Sequence, residues 1–364
     1  MSEQNSQSEH SDSKEKLNKK TLKDSLKSLN QFYNKQYKII LFIPIILTVL
    51  CLIYLAFFYI QHGDIINRDI SLTGGTSIQV NVPADIEALQ TQLESNFGEV
   101  SIREISDLFS GKQLGFIVET SADSQEVISF LEDYLSVALD QSNSSVEFTG
   151  SVIGQGFYIQ ILLAILFSFI FMGTVVFFIF SNNKKIKYGL IVLVLIPPLL
   201  FFFLNAISIT IAFILSIILL ITIVGLAIKY SIPAAAVIFA AFADIVMTLT
   251  IVNLLGMEVS SGGIIAFLML IGYSIDTDIL LTARVLRRSE GSVNSKIFGA
   301  FKTGMTMTLT AIAVILVGLF ITSSYSKVLE QIFFILAIGL AFDIFNTWVT
   351  NASMIKWYVE VKND

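Results

Sequence analysis

The sequence predicts a polytopic α-helical membrane protein with one small α+β domain outside the membrane. Hydrophobic residues make up 54% of the 364 residues and charged residues only 14%, and the mean hydropathy is +0.75. About eight apolar segments are long enough to be considered as transmembrane helices. About 95 residues with the patterning of a soluble domain lie between the first two segments.

The first apolar segment covers residues 39–60, after a polar tail at 1–38 in which eight lysines face five acids. We expect a disordered or partly helical cytoplasmic tail and an uncleaved membrane helix, because the segment is too long for a signal peptide. Seven more candidates follow, at 157–180, 187–204, 207–228, 233–254, 262–283, 305–322 and 330–352. Pro197-Pro198 predicts a kink in the 187–204 segment, because prolines remove backbone donors.

Residues 61–155 are predicted to form a ferredoxin-like domain. A strand-like run at 70–82 precedes a helical pattern at 84–97, two strand candidates at 100–105 and 113–120, a second helical pattern at 124–138 and a last strand candidate at 145–151. This βαββαβ order is typical of a split βαβ fold. Gly74 and Gly75 predict a tight turn or bulge at the first strand, and Gly154 and Gly156 predict a hinge before the second membrane helix.

Lysines and arginines predict the orientation, since they are enriched in cytoplasmic loops. They cluster around 35–38, 184–187, 229, 284–302 and 356–362. Eight spans place all these clusters, and both termini, on the cytoplasmic side of the cell membrane. The domain at 61–155, with an excess of acids, then lies outside.

The chain divides accordingly into seven parts. They are the tail 1–38, a first helix at 39–60, the outer domain 61–155, a second helix at 156–183, an extra apolar hairpin at 184–229, a membrane bundle at 230–358 with a basic loop at 284–304, and a cytoplasmic end at 359–364.

Composition also argues against several classes of function. Cys51 is the one cysteine, and His10 and His62 are the two histidines. An intrachain disulfide is therefore impossible, and a histidine-based metal site or catalytic triad is not expected. We therefore predict no metal, no cofactor and no enzymatic activity. We also predict no nucleic-acid partner, because membrane topology explains the basic loop.

Acidic residues inside the apolar segments are the candidate functional groups. Asp276 and Asp278 lie in IGYSIDTDILLTARVLRR, and Asp244 and Asp343 lie in two other segments. Each ionised residue near the centre of a membrane helix costs about 2.5–3.5 kcal/mol, and such residues often mark ion pathways. A proton relay is one interpretation, and hydrogen bonds that merely hold the helices together are the other.

Helical geometry separates the two acids of the IDTD sequence. Asp276 and Asp278 point about 200° apart on an ideal helix, so they face different surroundings unless the helix unwinds near Gly272. One of them is then free to face this bundle and the other a partner or a water-filled crevice. Small residues around Asp244 favour a position inside the bundle. Asp343 and Asn346 share one face of the last segment.

Several neighbours could support these acids. Tyr273, Thr277 and Arg284 lie on nearly one face of the same segment. Thr308 belongs to a run of alternating threonines in TGMTMTLT, and individual threonines in such a helix usually bond back to their own backbone.

Together these segments resemble the SecF family, whose members are subunits of the SecD–SecF complex of the protein-export machinery. The turn at TGGT, the IGYSIDTDILLTARVLRR segment, AAFADIVMTL around Asp244, TGMTMTLT and FDIFNTWVTNA carry the resemblance, over about 37–180 and 231–358. The DTD sequence is similar to archaeal members. Six of the eight spans match the family, which leaves 184–229 as an inserted hairpin.

This chain departs from the bacterial pattern at two functional positions. The bacterial sequence has Asn-Asp-Thr where this chain has Asp276-Thr277-Asp278, which moves the acid by about 100° around the helix. Ser71 stands where the outer motif of the family often has an acid.

The resemblance implies a SecD partner of related fold, contact with the Sec translocon channel and with unfolded preproteins, surrounding membrane lipid, and a likeness to RND transporters. It also implies that proton entry, driven by the proton motive force, changes the charge of the intramembrane acids and moves the outer domain. An RND-type exporter subunit for small molecules or lipids and a non-transporting assembly factor are the alternatives.

Overall fold

The computed structural model describes residues 36–98, 100–106, 110, 112–140, 142–149, 151–199, 208–323 and 326–363. The predicted tail at 1–38 lies almost entirely outside these ranges.

Seven helices of the described ranges are long and apolar enough to cross a membrane, so the chain is a polytopic helical membrane protein. They are α1 (Gln36–His62), α5 (Ser151–Phe180), α7 (Ile209–Tyr230), α8 (Ile232–Leu254), α9 (Ser261–Arg287), α10 (Val293–Thr322) and a composite last span. The last span joins α11 (Lys327–Phe345), a π-helical segment (Asn346–Asn351) and α12 (Ala352–Asn363).

The eighth predicted span, at 187–204, is only partly described. It begins as α6 (Lys184–Pro198), a helix of 15 residues. The described helix runs through the proline pair, at which the sequence predicted a kink, and Leu199 still has helical backbone angles. Residues 200–207, which include the predicted continuation, lie outside the described residues.

The centre of the bundle is α8, packed against α5, α7, α9 and α11. Its alanines are buried at positions 234, 236, 240, 241 and 243. Small side chains allow neighbouring helices to approach closely, which brings polar groups of three helices within hydrogen-bond reach in the middle of the bundle.

The domain between α1 and α5 contains a four-stranded antiparallel sheet. Its elements are β2 (Gly75–Val80), α3 (Ile86–Phe97), β3 (Val100–Ser106), β4 (Gln113–Thr120), α4 (Ser124–Leu135) and β5 (Ser144–Thr149). The strands lie in the order β3-β4-β2-β5. Alternate residues such as Ile78, Val80, Phe116 and Val118 form a core with α3 and α4. The other face, with Ser77, Gln79 and Glu119, points towards the membrane bundle.

Short elements fix this domain to the bundle. β1 (Asn67–Arg68) pairs in parallel with β6 (Glu258–Val259), which lies between α8 and α9. We call the end of the bundle that carries this pair the domain side, and the other end the opposite side.

The predicted strand at 70–82 is wrong in its first part. Residues Ile70–Thr73 form a short helix, α2, because the Asp69 carboxylate accepts a hydrogen bond from the Ser71 amide (2.9 Å) and caps its start. Gly74 and Gly75, the residues of the predicted tight turn, lie where α2 passes into β2 and have φ angles of +87° and +151°. A Cβ on Gly75 would lie 2.6 Å from the Thr120 carbonyl oxygen.

The predicted hinge at Gly154 and Gly156 is also wrong. Helix α5 begins at Ser151 and runs through both glycines without a break. Gly154 instead allows α2 and α5 to pack closely, because a Cβ there would lie 2.9 Å from the Gly74 amide nitrogen and 3.1 Å from the Leu72 carbonyl oxygen.

Replacing Gly154 with alanine should therefore lower the unfolding temperature of the purified protein, because backbone atoms must move to make room. Gly156→Ala is the matched control, since a Cβ at Gly156 meets nothing within 4 Å. The control should be neutral or should stabilise the helix by up to about 1 kcal/mol. Equal unfolding temperatures for both variants would contradict the close packing of α2 on α5.

Candidate functional site

Three carboxylates from three helices meet in the middle of the bundle. Asp244 of α8, Asp278 of α9 and Asp343 of α11 are each at most 1% exposed. Among the described residues, none of them pairs with a lysine, arginine or histidine. Burial of an unpaired ionised carboxylate is very costly, so the hydrogen bonds around these groups determine what the cluster can hold.

Asp244 is held by a hydroxyl and an amide. The Ser274 hydroxyl of α9 donates to one carboxylate oxygen (2.6 Å), and the Asn346 side-chain amide donates to the other (2.7 Å). Both donors are buried. Asp244 therefore ties α8 to α9 and to the last span.

Asp278 and Asp343 share one hydroxyl. Thr347 Oγ1 lies 2.9 Å from Asp278 Oδ1 and 3.1 Å from Asp343 Oδ1. The Asn351 amide also donates to Asp278 Oδ1 (2.8 Å), and Thr277 Oγ1 lies 3.3 Å from each oxygen of Asp343. The other oxygen of Asp278 is buried and has no hydrogen-bond partner among the described residues.

A hydroxyl carries one hydrogen, so Thr347 can donate to only one of these two carboxylates at a time. The second contact is a hydrogen bond only if that carboxyl group carries a proton and donates it to Thr347 Oγ1. One proton shared between Asp278 and Asp343 therefore satisfies both contacts. Reversing the two hydrogen bonds moves that proton from one carboxyl group to the other through the hydroxyl.

The π-helical segment explains how so many polar groups point inwards. Its wider turn places four side chains of NTWVTN inside the bundle, and Asn346, Thr347, Thr350 and Asn351 are all fully buried. Single π-turns inside α-helices are frequent at functional sites. The sequence pattern placed Asn346 on one face with Asp343, but it did not predict Ser274, Thr347 and Asn351 as site residues. The sequence feature that could have indicated them is the high density of hydroxyl and amide side chains in an otherwise apolar segment.

The other predicted site residues lie outside this cluster. Asp276 is on the exposed side of α9, as the helical angle from Asp278 predicts, and α9 is not unwound at Gly272. Arg284 donates to the Gly299 carbonyl and to Thr303 Oγ1 (3.1 Å) of α10. Thr308 is buried on α10, and Tyr273 is 44% exposed.

Thr306 and Thr310, the neighbours of Thr308 in the threonine run, donate to their own helix, to the carbonyl oxygens of Lys302 (2.8 Å) and Thr306 (2.7 Å). This is the interpretation that the sequence favoured for single threonines.

A second charged cluster joins the outer domain to the domain side of the bundle. Lys327, the first residue of α11, forms a short ion pair with Glu119 of β4 and lies 3.6 Å from Asp69. Arg103 of β3 pairs with Glu258 of β6 (2.5 Å). Burial raises the pKa of Glu119, and the Lys327 ammonium group opposes that rise.

Gln331, one turn after Lys327, joins α11 to the segment between β6 and α9 by hydrogen bonds. Its amide donates to the Glu258 carbonyl (2.5 Å) and its oxygen accepts from the Ser260 backbone amide (2.8 Å). The Ser71 hydroxyl accepts from the Ser261 amide (3.1 Å). Helices α9 and α11, which carry Asp278 and Asp343, are thus fixed to the outer domain at their first turns.

Comparison with known proteins agrees with the sequence motifs. Residues 203–361 match the family described as protein export membrane protein SecD/SecF, C-terminal. The chain is 30% identical over 332 residues to the protein-export membrane protein SecF of Methanocaldococcus jannaschii, covering 89% of this chain and 96% of the relative. The chain belongs to the SecF family.

Other SecF proteins show the same relationship. The chain is 30% identical over 335 residues to SecF of Methanothermobacter thermautotrophicus, covering 90% of this chain and 95% of the relative. It is 43% identical over 128 residues to SecF of Haloferax volcanii, covering 35% of this chain and 44% of the relative. The family match begins at residue 203, so it includes α7, which the sequence analysis had assigned to an inserted hairpin.

The fold also resembles a solved structure. The crystal structure of SecDF, a translocon-associated membrane protein from Thermus thermophilus, superimposes with a TM-score of 0.57 at 19% identity. The superposition covers 91% of this chain and 38% of the SecDF chain, so this chain spans well under half of that protein.

The charged cluster on the domain side leads to a prediction with a defined pH dependence. Lys327→Ala removes the cation beside Asp69 and the nearer of the two cations beside Glu119, where Arg103 remains at 3.8 Å. The loss should destabilise the docked outer domain by on the order of 3 kcal/mol at neutral pH. The pKa of Glu119, already raised by burial, rises further in this variant. The folded state then binds more protons than the unfolded state in mildly acidic solution, so the defect should shrink as the pH falls.

The unfolding temperature at neutral and at mildly acidic pH would measure this effect. Lys112→Ala is the control, because Lys112 is exposed on the same domain. A Lys327→Ala defect that stays constant across this pH range would show that Glu119 does not take up the extra proton.

Proposed function

We propose that this chain is the SecF subunit of a SecD–SecF complex that assists protein translocation across the cell membrane, driven by a proton gradient. The observation that carries the proposal is the hydroxyl of Thr347 between Asp278 and Asp343, buried in the membrane bundle of a SecF-family chain. Family membership supports the role in export, and the cluster supports the coupling to protons.

Uptake of a proton changes which contacts are favourable inside the cluster. With one proton, Asp278, Thr347 and Asp343 form a continuous chain of hydrogen bonds. Without it, one of the two contacts at Thr347 brings two oxygens together with no hydrogen between them, and two negative charges stay buried. Separation of α9 and α11 then lowers the free energy, because it relieves both unfavourable contacts. One charge that crosses a potential of 100 mV supplies about 2.3 kcal/mol for such a change.

The same two helices can carry the motion to the outer domain. Lys327 and Asp343 are separated by 16 residues of α11, which corresponds to about 24 Å along a helix. Ser261 and Asp278 are separated by a similar length of α9. Because both helices are fixed to the outer domain at their first turns, a shift at the acids changes the position of that domain.

Eight crossings with both termini in the cytoplasm fit the contacts better than seven. The Tyr37 hydroxyl at the start of α1 donates to Glu360 near the end of α12 (2.6 Å), so the two ends of the membrane region lie on one side. An even number of crossings follows. Helix α8 follows α7 directly and ends next to β6 on the domain side, so α7 runs from the domain side to the opposite side, in the same direction as α5. The chain therefore has to return to the domain side between α5 and α7, and α6 is the described part of that return.

The outer domain is proposed to be ferredoxin-like. Its βαββαβ order and the strand order β3-β4-β2-β5 support this assignment. The domain is outside the cell in the orientation given by the basic residues, where it can meet an unfolded preprotein leaving the translocon channel. The proposed partner is SecD, because the solved SecDF chain contains much more than the part that this chain matches.

The test is preprotein export into membrane vesicles that contain SecD and either the wild type or a variant of this chain, with and without a proton gradient. Thr347→Val keeps the shape of the side chain and removes the hydroxyl. It should reduce export to the level measured without a gradient, because Asp278 and Asp343 lose their connection. Asp278→Asn and Asp343→Asn should have the same effect.

Thr222→Val is the matched control. Thr222 is exposed on α7, and its hydroxyl donates only to the Ile218 carbonyl of its own helix (2.8 Å). Each variant must also retain its complex with SecD. Gradient-dependent export that survives all three substitutions at the cluster would contradict proton coupling and favour a role as an assembly factor. Export unaffected by removal of the whole chain would favour an RND-type exporter of small molecules or lipids.

A further inference from the structure

An apolar cleft opens between α7 and α12 on the lipid-facing surface of α8. Its volume is about 470 Å³, which lies within the range of typical ligand pockets. Helix α7 forms one wall, α8 forms the floor, and Met354 of α12 contributes to the other wall. All the residues that line the cleft are apolar, among them Leu220, Val224, Ile228, Phe239 and Phe242.

The cleft extends through one leaflet of the membrane. Helix α7 ends and α8 begins on the opposite side, so Ile228 lies near that membrane surface. Leu220 lies ten residues before the end of α7, and Phe242 lies ten residues after the start of α8. Each separation corresponds to about 15 Å along a helix, which is half the thickness of the hydrocarbon core of a bilayer.

The lining of the cleft suits an acyl chain better than a protein helix. Helices associate inside membranes through small residues and polar side chains. Ala235 is the one small residue among those that line the cleft, and none of them is polar. An acyl chain is flexible and wholly apolar, so it requires neither.

Helix α12 continues the cleft towards the membrane surface. Met354, Trp357 and Val361 are spaced by three and four residues, so they form one stripe along the helix. Trp357 is 43% exposed and Val361 is 60% exposed. Tryptophan is enriched at the level where acyl chains meet headgroups, so the apolar stripe ends at the level of a lipid headgroup.

An exposed lysine follows the cleft on each wall. Lys229 comes directly after Ile228 in α7, and Lys362 comes directly after Val361 in α12. Each ammonium group lies over a neighbouring tyrosine ring, at 5.3 Å and 6.0 Å from the ring centres. Among the described residues, neither lysine forms an ion pair.

The acid at this end of α12 leaves their charge in place. Glu360 accepts a hydrogen bond from the Tyr37 hydroxyl (2.6 Å) and lies 3.6 Å from the Lys356 ammonium group. Residues 181–243, which include α7 and the start of α8, contain four lysines and no acid. The mouth of the cleft is therefore positive, and basic pockets between membrane helices are sites for anionic lipid headgroups.

We infer that the cleft binds an anionic phospholipid from the leaflet on the opposite side. One acyl chain occupies the space between α7, α8 and α12, and Lys229 and Lys362 attract the phosphate. The proposed orientation makes this leaflet the cytoplasmic one. The inference itself depends only on the two ends of the bundle and not on export.

A photoactivatable lipid tests the location. The full chain is placed in vesicles containing phosphatidylglycerol with a diazirine near the end of one acyl chain, and the adducts are mapped by mass spectrometry. Adducts should concentrate around Leu220 and Phe242, at the inner end of the cleft. The reference is Leu309, which is 49% exposed in the middle of α10. Equal labelling at Leu309 would show ordinary bilayer lipid only and would overturn the inference.

Substitution of the lysines tests the charge. Lys229→Gln and Lys362→Gln should each lower cleft labelling by phosphatidylglycerol, relative to phosphatidylcholine, about fivefold. Lys302→Gln is the matched control, because Lys302 is an exposed lysine near the same end of α10, and it should leave the ratio unchanged. A ratio that is unchanged in both cleft variants would contradict the assignment of an anionic headgroup.

Filling the cleft tests the site of the acyl chain. Ala235→Phe should reduce labelling around Leu220 and Phe242 by both lipids, because the ring occupies the cleft. Ile218→Phe adds the same ring to an exposed part of α7 outside the cleft and should have no effect. Full labelling in a folded Ala235→Phe variant would contradict the site. The lysine variants decide the question if Ala235→Phe does not fold, because both lysines are exposed.

The same labelling with SecD in the vesicles distinguishes a lipid from a partner helix. Cleft labelling that persists supports the lipid. Cleft labelling that disappears when SecD is present would identify a helix as the occupant and would overturn the inference. Neither result affects the proposed function, since export is tested with variants of the carboxylate cluster.

Discussion

Three buried carboxylates that pair with no lysine, arginine or histidine among the described residues constrain how this bundle can be built. A free carboxylate in an apolar interior costs many kcal/mol, so each one must be surrounded by donors. Asp244 obtains its donors from α9 and the last span, and Asp278 obtains its donors from the π-helical segment. The same bonds therefore fix the relative positions of α8, α9 and α11. In the proposed coupling, a change in the number of protons in the cluster changes the packing of these helices.

This constraint also connects the membrane to the outer domain. Lys327 and Asp343 lie at the two ends of α11, so the charged cluster on the domain side and the carboxylate cluster share one rigid element. The second element, α9, places its two acids in different surroundings by helical angle. Asp278 faces the cluster, while Asp276 lies on the exposed side. In the bacterial pattern the acid occupies the position of Thr277, so the archaeal-type sequence distributes its two acids to either side of that position.

The sequence predicted the membrane class, the secondary structure order of the outer domain and the buried position of Asp244 from local patterns alone. It could not predict which acid of the IDTD sequence points inwards, because a helical angle gives the separation of two residues and not the direction of a neighbour. It missed Thr347 and Asn351 because the pattern of NTWVTN does not show that Asp278 of a different helix lies opposite these side chains. The hinge at Gly154 was wrong because glycine also marks close packing, and only the contact with Gly74 distinguishes the two.

The central claim is that Asp278 and Asp343 share a proton through Thr347. Infrared spectroscopy of the purified complex in lipid reports protonated carboxyl groups directly by their C=O stretching band. The account predicts a buried carboxylic-acid band in the wild type that shifts in Thr347→Val, because its hydrogen bond is lost, and that changes in both Asp278→Asn and Asp343→Asn. A wild type with no such band, or a band that is unchanged in all three variants, would contradict it.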